Sequence, residues 1–187
     1  MNLLYPTFTA RQFGGMFIFG CVGAVIAGAY GMFHDQITFT LGREYFTEFK
    51  FHQFHYLEKS PIERVTVLKI GFLATWWVGF FAGWFMGRTC IPHMPLKTAA
   101  IESLKGVSVM QVTAIISAYI GYTIAPHTTD DPRMENWISM IVPQSVIDKT
   151  AYVQVGYIHN ASYLGGLIGL ILALLWLKKR RSRMAYA

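Results

Sequence analysis

Charge is what this sequence has least of. Asp, Glu, Lys and Arg make up 14% of its 187 residues, where soluble domains carry about 25%, and 53% of the chain is hydrophobic. The shortage is concentrated in four apolar runs, which excludes an ordinary soluble domain and places the chain in the membrane class. Cysteine is scarce as well. Cys21 lies inside the first run and Cys90 just after the second, and their different depths argue against a disulfide. No HExxH, CxxC or repeated ExxH occurs, so no compact metal or haem motif announces itself. The span centres lack ionisable groups, which speaks against a pump. Internal repeats are absent, and the two halves do not resemble an inverted pair, which weakens a transporter reading.

What is present predicts an all-α, polytopic membrane protein: a single membrane domain, residues 1–187, of four transmembrane helices with an extracytoplasmic aromatic-rich cap. The expected spans are 13–33, 65–87, 106–125 and 152–177, each long enough for a ~30 Å hydrocarbon core at about 1.5 Å per residue. The outer segments are 34–64 and 126–151. The first run is longer than a typical signal-peptide core, so an uncleaved first helix is expected. Small residues recur every four positions: Gly20, Ala24 and Gly28, with a parallel Gly23/Ala27/Gly31 set; Gly79, Gly83 and Gly87; Gly165 and Gly169. Such ladders let helix backbones approach closely in lipid. Asp130, Asp131 and Pro132 ahead of Met134, Trp137, Ile138 and Ile141 suggest an interfacial helix. Ser145 to Asp148 resembles a capping box, from which the last helix would begin near Val146.

Arg11, Arg88, Lys97, Lys105 and the basic run at 178–183 fall on one side of these spans, and nearly all the acids fall on the other, Glu102 excepted. The positive-inside rule then places both termini in the cytoplasm. It also accounts for the net charge of +6 without a nucleic-acid partner. The expected location is a bacterial inner (plasma) membrane, and the expected partners are the lipid bilayer and a membrane protein or a second copy.

The most concentrated chemistry lies at 34–56, HDQITFTLGREYFTEFKFHQFHY, which holds three of the six histidines. Counting about 20 residues from each inner boundary puts His34, His127 and His159 at one depth, on three different helices. His52 and His55 lie on the same side. A helix over 43–56 would align Glu44, Glu48, His52 and His55 on one face; a strand over 49–56 is the alternative. Imidazole with carboxylate suits zinc, copper, iron or nickel, and paired histidines suit haem. The same groups, with Asp35, Gln36, Asn160 and Tyr163, also suit a hydrogen-bonded structural network. Sequence alone leaves metal and cofactor open.

The phrases HDQITFTLGREYFTEFKFHQF and VGYIHNASYLGGLIGL resemble segments of an uncharacterised family of small polytopic bacterial membrane proteins. That resemblance implies a bacterial inner membrane and assigns no residue a role. The functional expectation is a non-catalytic accessory or scaffold protein presenting its outer cap to a partner or lipid. The alternative is a metal- or haem-binding redox or hydrolytic protein using the outer-face histidines. A channel or transporter comes third.

Overall fold

The computed structural model describes residues 8–127 and 138–185. Among these the chain is all helical, and four helices are long and apolar enough to cross a membrane. This is a multi-pass membrane protein. Helix α1 is Ala10–Leu41, α2 covers residues 43–53, α3 is Glu63–Cys90, α4 is Leu96–Ile124 and α5 is Lys149–Ala185. A further helical turn occupies 138–141. The interfacial-helix reading of 130–137 lies outside the described residues.

The helices are longer than the runs that predicted them. Thr9 starts α1 with a capping box, its side chain and that of Gln12 each bonding the other's backbone N–H. At the far end α1 continues through His34–Leu41, where Gln36, Thr38 and Thr40 find partners. Thr38 Oγ1 donates to the His34 carbonyl, Gln36 Nε2 donates to the Arg64 carbonyl, and Arg64 donates to Gln36 and Thr40. It stops at Gly42, where a side chain would press on the Ala151 carbonyl at 2.8 Å. Helix α4 begins ten residues earlier than expected, on Pro95 as N-cap. Helix α5 begins at Lys149 rather than near Val146. Its cap is Asp148, whose carboxylate accepts from the Ala151 N–H at 2.9 Å. Ser145, the expected cap, instead donates to Glu48 at 2.6 Å.

Packing follows a pair-of-pairs plan: α1 lies mainly against α3, α4 mainly against α5, and the pairs meet each other far more sparingly. At α1/α3 a Cβ on Gly79 would strike the Gly23 carbonyl, one on Gly83 the Phe19 carbonyl, and one on Gly71 the Gly31 carbonyl. Gly20 and Gly28 face the rings of Phe80 and Phe72 rather than backbone, and a Cβ on Gly87 would meet the Phe19 side chain at 3.2 Å, closer than an ordinary contact. Ala24 is half-buried. At α4/α5, Gly165 sits against Ser117 and Gly169 against Thr113 and Met110.

Two cores close the ends. Phe39, Val67, Ile70, Tyr152 and Val155 pack against Tyr45, Phe46 and Phe51 of α2, joined by Ile138, Val142 and Val146. Met86, Cys90, Met94, Ala99, Ala173 and Leu177 fill the opposite end. There the buried Glu102 is answered by Lys105 at 3.0 Å and Arg180 at 3.7 Å, which explains the one acid found among the basic segments. Both cysteines are free.

Candidate metal centre and its cavity

The candidate centre grows from α1 and α5. His34 and Asp35 sit in the part of α1 that continues beyond the apolar run, and His159 projects from α5. Asp35 and His159 are buried, at 4% and 1% exposure. One ligand atom from each of His34, Asp35 and His159 lies within 4.8 Å of the other two. The two imidazoles meet edge to face, centroids 4.9 Å apart. Tyr45 stacks on His159 at 5.0 Å and Tyr30 on His34 at 5.6 Å, so aromatic neighbours hold both rings.

Hydrogen bonds fix the protons. His159 Nδ1 lies 2.9 Å from the Val155 carbonyl. A carbonyl only accepts, so Nδ1 carries hydrogen and donates. Nε2 then faces Asp35 Oδ1 at 3.2 Å, an approach that requires one proton between imidazole and carboxylate. Remove that proton and Nε2 presents a lone pair, with its ring oriented from behind by a backbone carbonyl. This is the arrangement found behind metal-bound histidines. Two buried atoms of these residues have no partner among the described residues: His34 Nε2 and Asp35 Oδ2. Buried polar atoms are nearly always satisfied, so two orphans beside a lone pair mark a site with capacity for a ligand.

Other expected residues lie elsewhere. His127 is exposed and hydrogen-bonds Gln154 at 3.2 Å, so equal depth did not bring it to the centre. His52 and His55 are exposed. Glu44 accepts from the Ile147 and Asp148 N–H groups at 3.0 and 2.7 Å, and with Glu48 it pins the loop ahead of α5. Those bonds hold the Glu44 carboxyl below its ordinary range. Asn160 is exposed on the cavity wall and bonds none of the centre's members. Ser162 bonds Tyr30 Oη at 3.0 Å.

The strand reading of 49–56 is overturned. Residues 43–53 are helical, with a π-helical turn at Phe46–Lys50, and the chain leaves the helix before His55. The single helical face of Glu44, Glu48, His52 and His55 therefore does not form. At about 100° per residue an α-helix would turn Lys50 about 140° away from Tyr45. The wider turn, closed by the Phe51 N–H on the Phe46 carbonyl, brings both to the cavity. Lys50 was not legible as a site residue, because a lysine in a connector reads as solvated. It is 4% exposed, and its ammonium donates to Tyr163 Oη at 3.3 Å. Burial pushes it below the usual lysine range, opposed by the Asp35 charge. Burial likewise raises the Tyr45 phenol.

These groups form one end of a cavity of about 880 Å³ between the helix pairs. Its other walls are mostly apolar, among them Ile26, Leu73, Val78, Met110, Ala114 and Leu170, with Thr75 and Gln111 as polar members. No family model matches the chain, and neither a curated protein nor a solved structure proves similar to it.

Proposed function

We propose that this protein is a metal-dependent membrane protein that binds one divalent transition ion through His34, Asp35 and His159, and uses it in hydrolytic or redox chemistry inside the helix bundle. What carries the reading is the pair of orphaned atoms, His34 Nε2 and Asp35 Oδ2, beside a His159 whose tautomer is set by the Val155 carbonyl. Two imidazoles and one carboxylate are a donor set for zinc or iron(II). Three protein ligands leave positions open for water or substrate, as catalytic rather than closed structural sites do. Tetrahedral ligands at about 2.0–2.2 Å from a common ion stand about 3.3 Å apart. The His159 Nε2–Asp35 Oδ1 pair already stands at 3.2 Å, so loading the site would require only the remaining separations to contract, by up to about 1.5 Å from the 4.8 Å limit. The ion takes the place of the proton between His159 and Asp35, so binding releases a proton.

Cobalt(II) titration of chelator-stripped protein, followed by its d–d absorption, tests the reading. One ion per chain is expected. His34→Ala and Asp35→Asn should each abolish saturable binding, and His127→Ala should leave it unchanged. Equal binding by all four proteins would overturn the assignment.

The accessory or scaffold reading keeps one observation in its favour. Only 11% of the spanning stretch of α4 is buried, which leaves a broad apolar face for lipid, a second copy or another membrane protein. Co-purification of a stoichiometric partner would favour it. We place the protein in a bacterial inner membrane with both termini cytoplasmic, on the distribution of its basic residues.

A further inference from the structure

The cavity has a polar end and an apolar corridor, and the two are aligned along the bundle. From His34 to Gly23 its α1 wall runs eleven residues, about 16 Å at 1.5 Å per residue. Lys50 stands at the polar end. Its ammonium has three N–H donors, and one is used, on Tyr163. Among the described residues no carboxylate lies within ion-pairing distance of it. Asp35 is the sole acid among the lining residues. Its charge is already matched, by the proton it shares with His159 or by a metal ion in that proton's place. The protonated Lys50 therefore gives the polar end a positive charge that no described carboxylate ion-pairs, facing a space whose remaining surface is mostly hydrocarbon, with Thr75 and Gln111 as its polar members.

We propose that the cavity binds a single-chain amphiphile with a carboxylate head, a long-chain fatty acid or its acyl relatives. The head rests on Lys50 and Tyr163, and the tail lies along the corridor towards Leu170. A buried ammonium without a counter-ion is costly, and a monoanionic head supplies the missing charge and accepts the two free N–H groups. A neutral head leaves the ammonium as it is. The volume falls within the range of sites that enclose one drug-sized or larger molecule. The gap between the helix pairs gives the tail a route from the bilayer. This names the substrate class for the metal site proposed above and rests on that reading only for what happens to the bound head. Binding itself depends on Lys50, which is not a metal ligand.

The test is saturable binding of radiolabelled palmitate and hexadecanol to nanodisc-reconstituted protein, with empty nanodiscs subtracted. Chelator-stripped wild type should bind one palmitate per chain, at least tenfold more tightly than hexadecanol. Lys50→Gln should lose at least tenfold in palmitate affinity, change hexadecanol by less than threefold and still take up cobalt(II). Retained cobalt shows that the variant is folded. Gly166→Leu is an independent probe of the tail. A Cβ there has its nearest neighbour at 4.0 Å, the flexible end of Met110, so leucine fills the corridor without striking backbone. It should weaken palmitate and hexadecanol alike and leave cobalt binding intact. Three results would overturn the proposal: no saturable palmitate binding, equal affinity for acid and alcohol in wild type, or an unchanged Lys50→Gln. Lysophosphatidate binding tenfold more tightly than palmitate would overturn the carboxylate assignment. Loss of cobalt binding with palmitate retained would sink the metal centre alone.

Discussion

At the scale of single residues, the Asp35–His159 pair carries two separable roles. As a structural pair it matters because both members are buried. His159→Leu strands the Asp35 carboxyl without its imidazole, and removing one partner of a buried pair costs about 3–5 kcal/mol. Asp35→Asn is milder. The amide N–H donates to the unprotonated Nε2 of a neutral His159, one hydrogen bond is kept, and the expected change is about 1 kcal/mol. Denaturant titration in detergent should therefore rank His159→Leu well below Asp35→Asn, and the double variant should recover part of the loss. A loss in the double variant equal to the sum of the two single losses would show that the pair contributes nothing as a pair. Metal binding separates the roles, since Asp35→Asn should keep the fold and lose the ion. His34 fits the same logic from the other side: its Nε2 bonds none of the described residues, so His34→Ala should cost little stability beyond its ring packing on Tyr30 and His159.

At the scale of elements, close backbone contact between α1 and α3 makes a contrast testable within one helix pair. Gly83→Ala puts a methyl group into the Phe19 carbonyl, whereas Gly14→Ala meets nothing within 4 Å. The first should destabilise by about 1–3 kcal/mol, the usual cost of overpacking. The second should be neutral or stabilising by up to about 1 kcal/mol, the helix-propensity gain of alanine over glycine. Parallel melting curves would decide, and identical effects would mean that the interface yields. The junction of α2 with α5 is a second element-level test, read in pH. Glu44 has its folded pKa lowered by the Ile147 and Asp148 N–H bonds. Its contribution is therefore full above the unfolded value, about 4.3, and is lost as pH falls through the folded value. Hydrogen exchange at those two amides, normalised to intrinsic rates, should accelerate below about pH 4. In Glu44→Gln it should be fast at every pH. Exchange independent of both would show that Glu44 does not hold the loop.

At the scale of the molecule, the two-pair plan leaves an apolar space between α1/α3 and α4/α5, closed at one end by α2 and its π turn. Sidedness decides from which compartment that end is reached. Single cysteines in a cysteine-free background should be labelled by an impermeant maleimide from outside at position 55. At position 183 labelling should require a permeabilised membrane. Both sites are exposed. The reverse pattern would turn the molecule over and put the centre at the cytoplasmic face. The contacts of glycine with backbone carbonyls along the spans lie within each pair, while between the pairs Gly106 meets the flexible Met86 side chain, so the pairs are expected to move as units. Where the interface between them is sparse, opening to admit a chain from the bilayer costs the least contact.

The sequence by itself determined that the chain crosses a membrane four times, roughly where, and that its histidines gather towards one end. Those properties are additive along a chain: hydropathy, helical rise and charge asymmetry need no knowledge of neighbours. It also determined that His34 and His159 share a depth, because depth is a count from a boundary. Only the tertiary structure decided that these two converge while His127 does not. Azimuth around a helix and the choice of neighbouring helix are set by packing, here by glycines meeting carbonyls on one face of each helix. The helix ends were misplaced for a related reason. His34–Leu41 stays helical because Arg64 and the α5 side answer its polar groups, and Ser145 gives up capping because Glu48 stands within reach. Lys50 was hidden most completely. Its burial depends on a change of helical pitch over five residues, and on a cavity that exists only once all four spanning helices and α2 are assembled.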